Sequence, residues 1–359
     1  MSSVSGKAIN LLQFAHRSPN QLNLLSDQKE KMPRKVLVIR FSSIGDIVLT
    51  SPVVRCLHQI PGGVEIHFLT KERFAFLAEN NPYISRVFKI KENVQEVLPL
   101  LKKESYDHII DLHKNLRSFR VILGLRRPYS SFNKLNFQKW LLVRFKTSFM
   151  PEVHIVDRYM KAVECLGVSN DGQGLDFFIP QGFEIDPGSL PEPFSKGYVA
   201  VVIGGKHNTK ILPGNKVIEI CRLLNVPVVL LGGVEDRQRG EEISSAPGIR
   251  IFNACGMYNL FQSASLVRQA RAILTNDTGL MHIAAAFRKP IVSVWGNTVP
   301  ELGMYPYLPQ VSDHLISEVK GLSCRPCSKI GFDHCPEGHF RCMKDQQTGE
   351  IAGFLNDHS

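Results

Sequence analysis

Apolar positions in this chain come in short β-branched runs, separated by amphipathic stretches. KVLVIR (35–40) predicts a buried strand, and FSSIGD follows it as a small-residue turn. IVLTSPVVRCLHQI then predicts one helix, provided Pro52 falls near its first turn. VEIHFLT (64–70), VFKI and HIIDLH (108–113) predict further strands, with helices at RFAFLAENNP and VQEVLPLLKKE between them. The alternation restarts at YVAVVIGG (198–205) and continues through NKVIEICRLL, VPVVLLGG (226–233), ASLVRQA, AILTND (272–277), GLMHIAAAF and PIVSVWG (290–296). Strands that alternate with helices in this way predict parallel sheets covered on both faces. The expected fold is α/β, with two consecutive doubly wound units and a cleft between them.

Length agrees: 359 residues suit about two domains. Residues 1–31 are polar without periodicity and are expected to form a flexible extension, with Met32 as an alternative start. The expected first domain is 32–180. A Pro- and Gly-rich linker over 181–197 follows, then a second domain over 198–323 and a Cys-rich tail over 324–359. No apolar run approaches the ~18 residues of a membrane span. The N-terminus lacks the apolar core and cleavage site of a signal peptide, so a cytoplasmic protein is expected.

Charge changes the picture. The formal net charge is +10. Arg34 to Pro180 holds 22 basic and 14 acidic residues, whereas Gln181 to Ser359 holds 17 of each, so the first domain carries most of the excess. Arg117 to Lys146 has eight basic residues and no acidic one, interleaved with Phe119, Tyr129, Phe132, Phe137, Trp140 and Phe145. This stretch is either a solvated basic surface with its aromatics in the core, or an anion-binding face. No zinc finger or aromatic RNA-binding signature accompanies it, and no nucleic-acid partner is expected.

Three strand-to-helix junctions hold the candidate chemistry, because ligands of open α/β sheets bind at the carboxyl ends of strands. In Ser42-Ser43-Ile44-Gly45-Asp46, residue types and spacing alone favour Asp46 as a helix cap over a general base. Gly204 to Lys210 offers close backbone approach and basic side chains, but has neither Walker A nor GxGxxG spacing. In Thr275-Asn276-Asp277-Thr278-Gly279-Leu280-Met281-His282, a helix starting near Thr278 presents free N–H groups suited to a diphosphate. Cys324, Cys327, Cys335 and Cys342, spaced C-x2-C-x7-C-x6-C with His334 and His339 among them, could hold structural zinc or an iron–sulfur cluster, or stay reduced thiols. Cys56, Cys165, Cys221 and Cys255 are expected to be buried.

Taken together, these segments resemble glycosyltransferase family 9, the lipopolysaccharide heptosyltransferase family. The matching pieces are VIRFSSIGDIVLTSPVVR (38–55), GGKHNTKILP (204–213), VVLLGGVED (228–236), NACG (253–256), TNDTGLMHIAAAF (275–287), WGNTVPELGMYP (295–306) and the CRPC tail (324–343). The resemblance implies a GT-B architecture, in which two Rossmann-like domains face a cleft. It also implies an ADP-heptose donor, inversion at the anomeric carbon and no catalytic metal. By that likeness Asp46 is the general base and Lys210 neutralises the leaving diphosphate. Thr278 and Gly279 bind the diphosphate, Asp277 and His282 support the donor sugar, Glu235 binds ribose and Met257 lies at the adenine. Asp111, His113, Lys114 and Arg117 would face an anionic glycolipid acceptor at the inner-membrane surface. A different nucleotide-sugar donor, a sugar-nucleotide epimerase, a nucleic-acid-binding protein and a metal- or redox-sensing protein are the alternatives.

Overall fold

The computed structural model describes residues 34–308 and 313–359. The expected extension over 1–31 and the alternative start at Met32 lie outside the described residues.

The first domain runs β1 (Lys35–Ile39), α1 (Ile44–Val48), α2 (Ser51–His58), β2 (Glu65–Lys71), α3 (Ala75–Glu79), β3 (Arg86–Ile90), α4 (Leu98–Lys103), β4 (His108–Asp111), α5 (Leu116–Leu125), β5 (Tyr129–Ser131), α6 (Asn136–Phe145) and α7 (Ile155–Met160). Its five strands are parallel in the order β3-β2-β1-β4-β5. Val36, Leu37, Val38 and Ile39 are fully buried, as a central strand covered on both faces requires.

The single helix expected over 47–60 is two. Thr50 ends the first turn, its N–H and hydroxyl both donating to the Ile47 carbonyl at 2.9 and 2.7 Å. Pro52 then occupies the first turn of α2, where its missing N–H costs nothing.

The second domain runs β6 (Val199–Val202), α8 (Gly214–Leu223), β7 (Val228–Leu231), α9 (Arg237–Ser244), β8 (Ile251–Asn253), α10 (Leu260–Gln269), β9 (Ile273–Asn276), α11 (Gly279–Ala286), β10 (Ile291–Trp295), β11 (His314–Glu318), α12 (Arg341–Lys344) and α13 (Thr348–Asp357). Its parallel order is β11-β10-β9-β6-β7-β8. The segment 324–359 is no separate tail. Ile351, Ala352 and Leu355 of α13 share a buried core with Val217 and Ile220 of α8, and Cys342 and Met343 join it. Those three apolar positions share one helical face, which explains the docking. The linker is packed too, since Leu190 and Phe194 are buried.

Both sheets reverse direction of winding at their first strand, β1 and β6. The ends of those strands are therefore where crevices open.

Candidate functional site

The first crevice holds the Ser43–Asp46 turn. Burial pushes the Asp46 carboxyl up, but the Arg40 guanidinium, Ser43 and His282 outweigh it and hold the group below the usual carboxylate range. Arg40 Nη2 lies 2.5 Å from Asp46 Oδ1, and the Ser43 N–H and hydroxyl both donate to Oδ2 at 2.9 Å. Asp46 is therefore a helix cap, as its spacing suggests, and at the same time an ionised carboxylate at the floor of the cleft. Arg40 was missed in the sequence, although an arginine ending an otherwise apolar strand is a visible signal. Its guanidinium also donates to the carbonyls of Ser42 and Leu112, which fixes its direction.

The second domain meets this turn directly. A Cβ on Gly45 would stand 2.5 Å from His282 Cδ2, and one on Gly279 would stand 2.9 Å from Ile44 Cγ2. The start of α11 thus lies in van der Waals contact with the Asp46 turn, and both glycines are needed for the approach. Burial pushes His282 down to about 4, so its imidazole is neutral, and its Nδ1 has no partner among the described residues. Asn297, beyond β10, is 1% exposed with both amide atoms unpartnered among the described residues.

Lys210 Nζ donates to Asp277 Oδ2 at 2.5 Å, and the Thr298 hydroxyl donates to the same oxygen at 3.1 Å. Asn276 positions the Lys210 loop: its amide donates to the Val202 and Gly204 carbonyls and its Oδ1 accepts from the Leu212 N–H. Thr278 caps α11 in extended backbone, with Gly279 as the first helical residue. Glu235 is exposed at the end of the β7 turn. Its neighbour Asp236 is the buried cap, accepting from the Gly233 N–H at 2.9 Å. Met257 is 54% exposed after Gly256, whose positive φ of 68° brings its backbone against Val234.

The expected acceptor-side residues divide. Asp111 has both oxygens engaged in its own turn, accepting from the His113 and Lys114 N–H groups and from the Ser118 hydroxyl. It organises the turn. His113 packs on Phe41 with its Nδ1 unpartnered among the described residues, and burial pushes it down to about 3. Lys114 donates to the Phe132 carbonyl at 2.8 Å, while Arg117 is exposed and lies within electrostatic reach of Lys71. Lys134 and Lys139 turn inward. Burial lowers both, Lys139 to about 8, and Asp46 and Lys329 are among the charges that reach them.

All eight cysteines are free, and Cys165 is exposed rather than buried. Among the described residues, the group of three metal-ligating types whose donor atoms lie within 4.8 Å of one another is Glu65, His67 and Glu104. Lys35 and Arg86 already fill that group with positive charge. The four tail cysteines are more widely spread, with Cys324 Sγ 3.8 Å from His339 Nε2. Their segment nevertheless buttresses the second crevice. Arg325, between Cys324 and Cys327, donates to the carbonyls of Trp295, Gly296 and Thr298 and pairs with Glu318 at 3.0 Å. Thr209, beside Lys210, shares three hydrogen bonds with Phe332.

Two parallel-sheet Rossmann-like domains that meet across a polar cleft define the GT-B architecture of nucleotide-sugar glycosyltransferases. The family model of glycosyltransferase family 9 (heptosyltransferase) matches residues 96–330, and the chain belongs to that family of glycosyltransferases. It is 24% identical over 340 residues to lipopolysaccharide heptosyltransferase 1 of Pseudomonas aeruginosa, covering 87% of this chain and 91% of that protein. The structure of E. coli ADP-heptose lps heptosyltransferase II superposes with a TM-score of 0.66 at 21% identity, over 90% of this chain and 98% of that one. A dodecameric iron-containing heptosyltransferase from E. coli H10407, solved with ADP-D-beta-D-heptose, gives a TM-score of 0.53 at 14% identity, over 91% and 76%. Family membership selects the transferase over the nucleic-acid-binding and sensing alternatives.

Proposed function

We propose that this enzyme transfers heptose from ADP-heptose to a hydroxyl of a lipopolysaccharide core acceptor, with inversion at the anomeric carbon. The relatives' names support heptose transfer to lipopolysaccharide, and the titles of the similar structures support an ADP-heptose donor. The observation that carries the mechanism is the contact between the Asp46 turn and the start of α11. Asp46 takes the proton of the acceptor hydroxyl. That oxygen bonds to the anomeric carbon as the bond from that carbon to the diphosphate oxygen breaks, and ADP leaves. Negative charge grows on the diphosphate, where Lys210 and the N–H groups of Thr278 and Gly279 oppose it. In this reading no metal ion is needed for the transfer. Glu235 binds the ribose, Met257 lines the adenine site, and Asp277 with His282 orients the sugar. His113, Lys114 and Arg117 meet an anionic glycolipid, Asp111 holding their turn in place. The work is done at the cytoplasmic face of the inner membrane.

Calorimetric titration with ADP, UDP and GDP, each with and without EDTA, tests the donor. Selective ADP binding that EDTA leaves unchanged is expected. Preference for another nucleotide overturns the heptose assignment.

A structural metal at the tail is a second reading, favoured by one observation. Burial first, and then the neighbouring thiols of Cys324 and Cys335, push the Cys327 thiol up to about 11, so three of the four sulfurs lie within reach of one another. Four thiols with His339 beside them suit a thiophilic ion such as zinc or iron, and closing on it would draw the sulfurs together. Metal analysis of the purified protein, with thiol titration before and after chelation, tests it. Absence of metal together with four freely titrating tail thiols removes it.

A further inference from the structure

We propose that the outer face of α5 and α6 is the surface on which this enzyme docks to an anionic phospholipid bilayer. The inference rests on the reading that the acceptor is lipid-linked, and it names the part of the chain that meets the lipid.

Helix α5 buries Ser118, Val121 and Ile122. At about 3.6 residues per turn its opposite face carries Leu116, Phe119 and Leu123 with Arg120. These three apolar side chains are 79%, 46% and 57% exposed. Helix α6 buries Leu142 against Val299 and Leu302 of the second domain. Its opposite face carries Phe137, Trp140 and Arg144. Phe137 and Trp140 stack with centroids 6.0 Å apart, and Phe145 meets Trp140 edge-on at 5.3 Å. All three rings are more than half exposed. A soluble surface does not normally gather so many large apolar groups.

Within this stretch the charge has one sign, although Glu337 of the Cys-rich segment shares a groove with Trp140 and Arg144. Of the eight cations between Arg117 and Lys146, only Lys134 and Lys139 turn inward. Arg117, Arg120, Arg126, Arg127, Arg144 and Lys146 are exposed, and the segment has no acidic residue to balance them. Helices with aromatic and leucine side chains on the same side as arginines fit the boundary of an anionic bilayer, where rings and aliphatics enter the headgroup layer and guanidinium groups meet phosphates. A second copy of this chain is a poor occupant, because a two-fold contact would set these cations against themselves. Leu116 and Leu123 offer a nucleic acid nothing to stack on. The position also suits the reaction, since Arg117 at the start of α5 lies near Lys71 at the end of β2, the side on which the Asp46 cleft opens.

The chain has two tryptophans, and Trp295 is fully buried while Trp140 is half exposed. A shift in tryptophan emission on vesicle binding therefore reports on Trp140 of α6, the Trp295 signal staying constant. The test mixes the full chain with vesicles of phosphatidylglycerol and phosphatidylethanolamine in equal parts, or of phosphatidylcholine alone, and measures co-sedimentation and emission. Binding to the anionic vesicles alone, weakened by salt, with a blue shift that Trp140→Phe removes, is expected. The triple variants Phe137→Ser/Trp140→Ser/Phe145→Ser and Arg120→Gln/Arg126→Gln/Arg127→Gln should each lose at least about tenfold in vesicle partition. Both should keep wild-type ADP binding, which separates docking from the donor site. No vesicle binding at low salt, or binding that both triple variants retain, overturns the proposal. So does a salt-sensitive RNA complex or a dimer that the same variants abolish while vesicles are ignored. Vesicle binding by a wild-type protein that fails to bind ADP would instead sink the transfer reading and leave the docking face standing.

Discussion

Arg40 and Asp46 form an ion pair at the floor of the cleft, with Nη2 and Oδ1 2.5 Å apart. The pair keeps a carboxylate ionised where burial alone would favour the neutral acid. Asp46 acts as a base only above its own pKa, and the native pKa lies below the usual carboxylate range. Replacing Arg40 removes the largest depressing influence and raises it. The acidic limb of the transfer-rate profile should therefore move to higher pH in Arg40→Gln, while ADP binding holds. An unmoved limb would mean that the limb belongs to another group. Arg40 is buried but Asp46 is about a quarter exposed, so breaking the pair should cost less than the ~3–5 kcal/mol of a fully buried one, and thermal melting of Arg40→Gln should be measured beside the rate.

Gly45 and Gly279 set how closely the domains approach. Added methyl groups would stand 2.5 Å from His282 and 2.9 Å from Ile44. Gly45→Ala and Gly279→Ala should each cost about 1–3 kcal/mol by overpacking, and should slow transfer more than they weaken ADP binding. Gly353→Ala, on α13 with open space around it, serves as the control. It should raise stability by about 0.4–1 kcal/mol. Equal melting temperatures for all three variants would show that the close approach is not maintained in solution.

Lys210 is held by Asp277 in this structure. Lys210→Ala takes a cation from the diphosphate position and leaves Asp277 with the Thr298 hydroxyl as its one hydrogen-bonding side chain among the described residues. ADP affinity should fall about 10- to 100-fold, in line with the loss of one charge-assisted contact. Calorimetry reads this directly, and unchanged affinity would place the diphosphate elsewhere.

Arg55 ties α2 to the chain that leaves the first domain, pairing with both Asp171 and Asp176. The Arg55 hydrogen bonds hold the Asp171 carboxyl down at about 2, while burial pushes Asp176 up. A depressed carboxyl contributes stability that is present above its unfolded pKa, about 3.9. That contribution is lost as pH falls through the folded value. Acid unfolding should therefore include a component between about pH 4 and pH 2 that Asp171→Asn removes. Melting temperature against pH for the two proteins checks it, and parallel curves would contradict it.

Much of the fold was legible because its strands are short, apolar and β-branched, as VLVI and VAVV are. What escaped the sequence had weaker signals. The division at Thr50 depends on how Pro52 is placed, and the helix 348–357 fully buries just three apolar side chains, Ile351, Ala352 and Leu355, in a polar context. The site was legible where a motif sits at a strand end, as with Asp46, Lys210 and Asp277. Asn276, Asn297 and Arg325 act through contacts with residues far along the chain or through burial, which no local pattern specifies, whereas Arg40 pairs within its own turn and ends an apolar strand visibly. Asp111 shows the converse: its position at a strand end looked ligand-facing, yet its oxygens close a turn.

The most direct test is the reaction itself, with ADP-β-heptose and a lipopolysaccharide core acceptor, comparing wild type with Asp46→Asn. Product configuration is read by NMR, turnover by ADP release and donor binding by calorimetry. The account predicts an α-linked product. It also predicts that Asp46→Asn binds ADP normally but turns over about 10²–10⁴-fold more slowly. A product with retained configuration, or an Asp46→Asn enzyme that works near the wild-type rate, would contradict it.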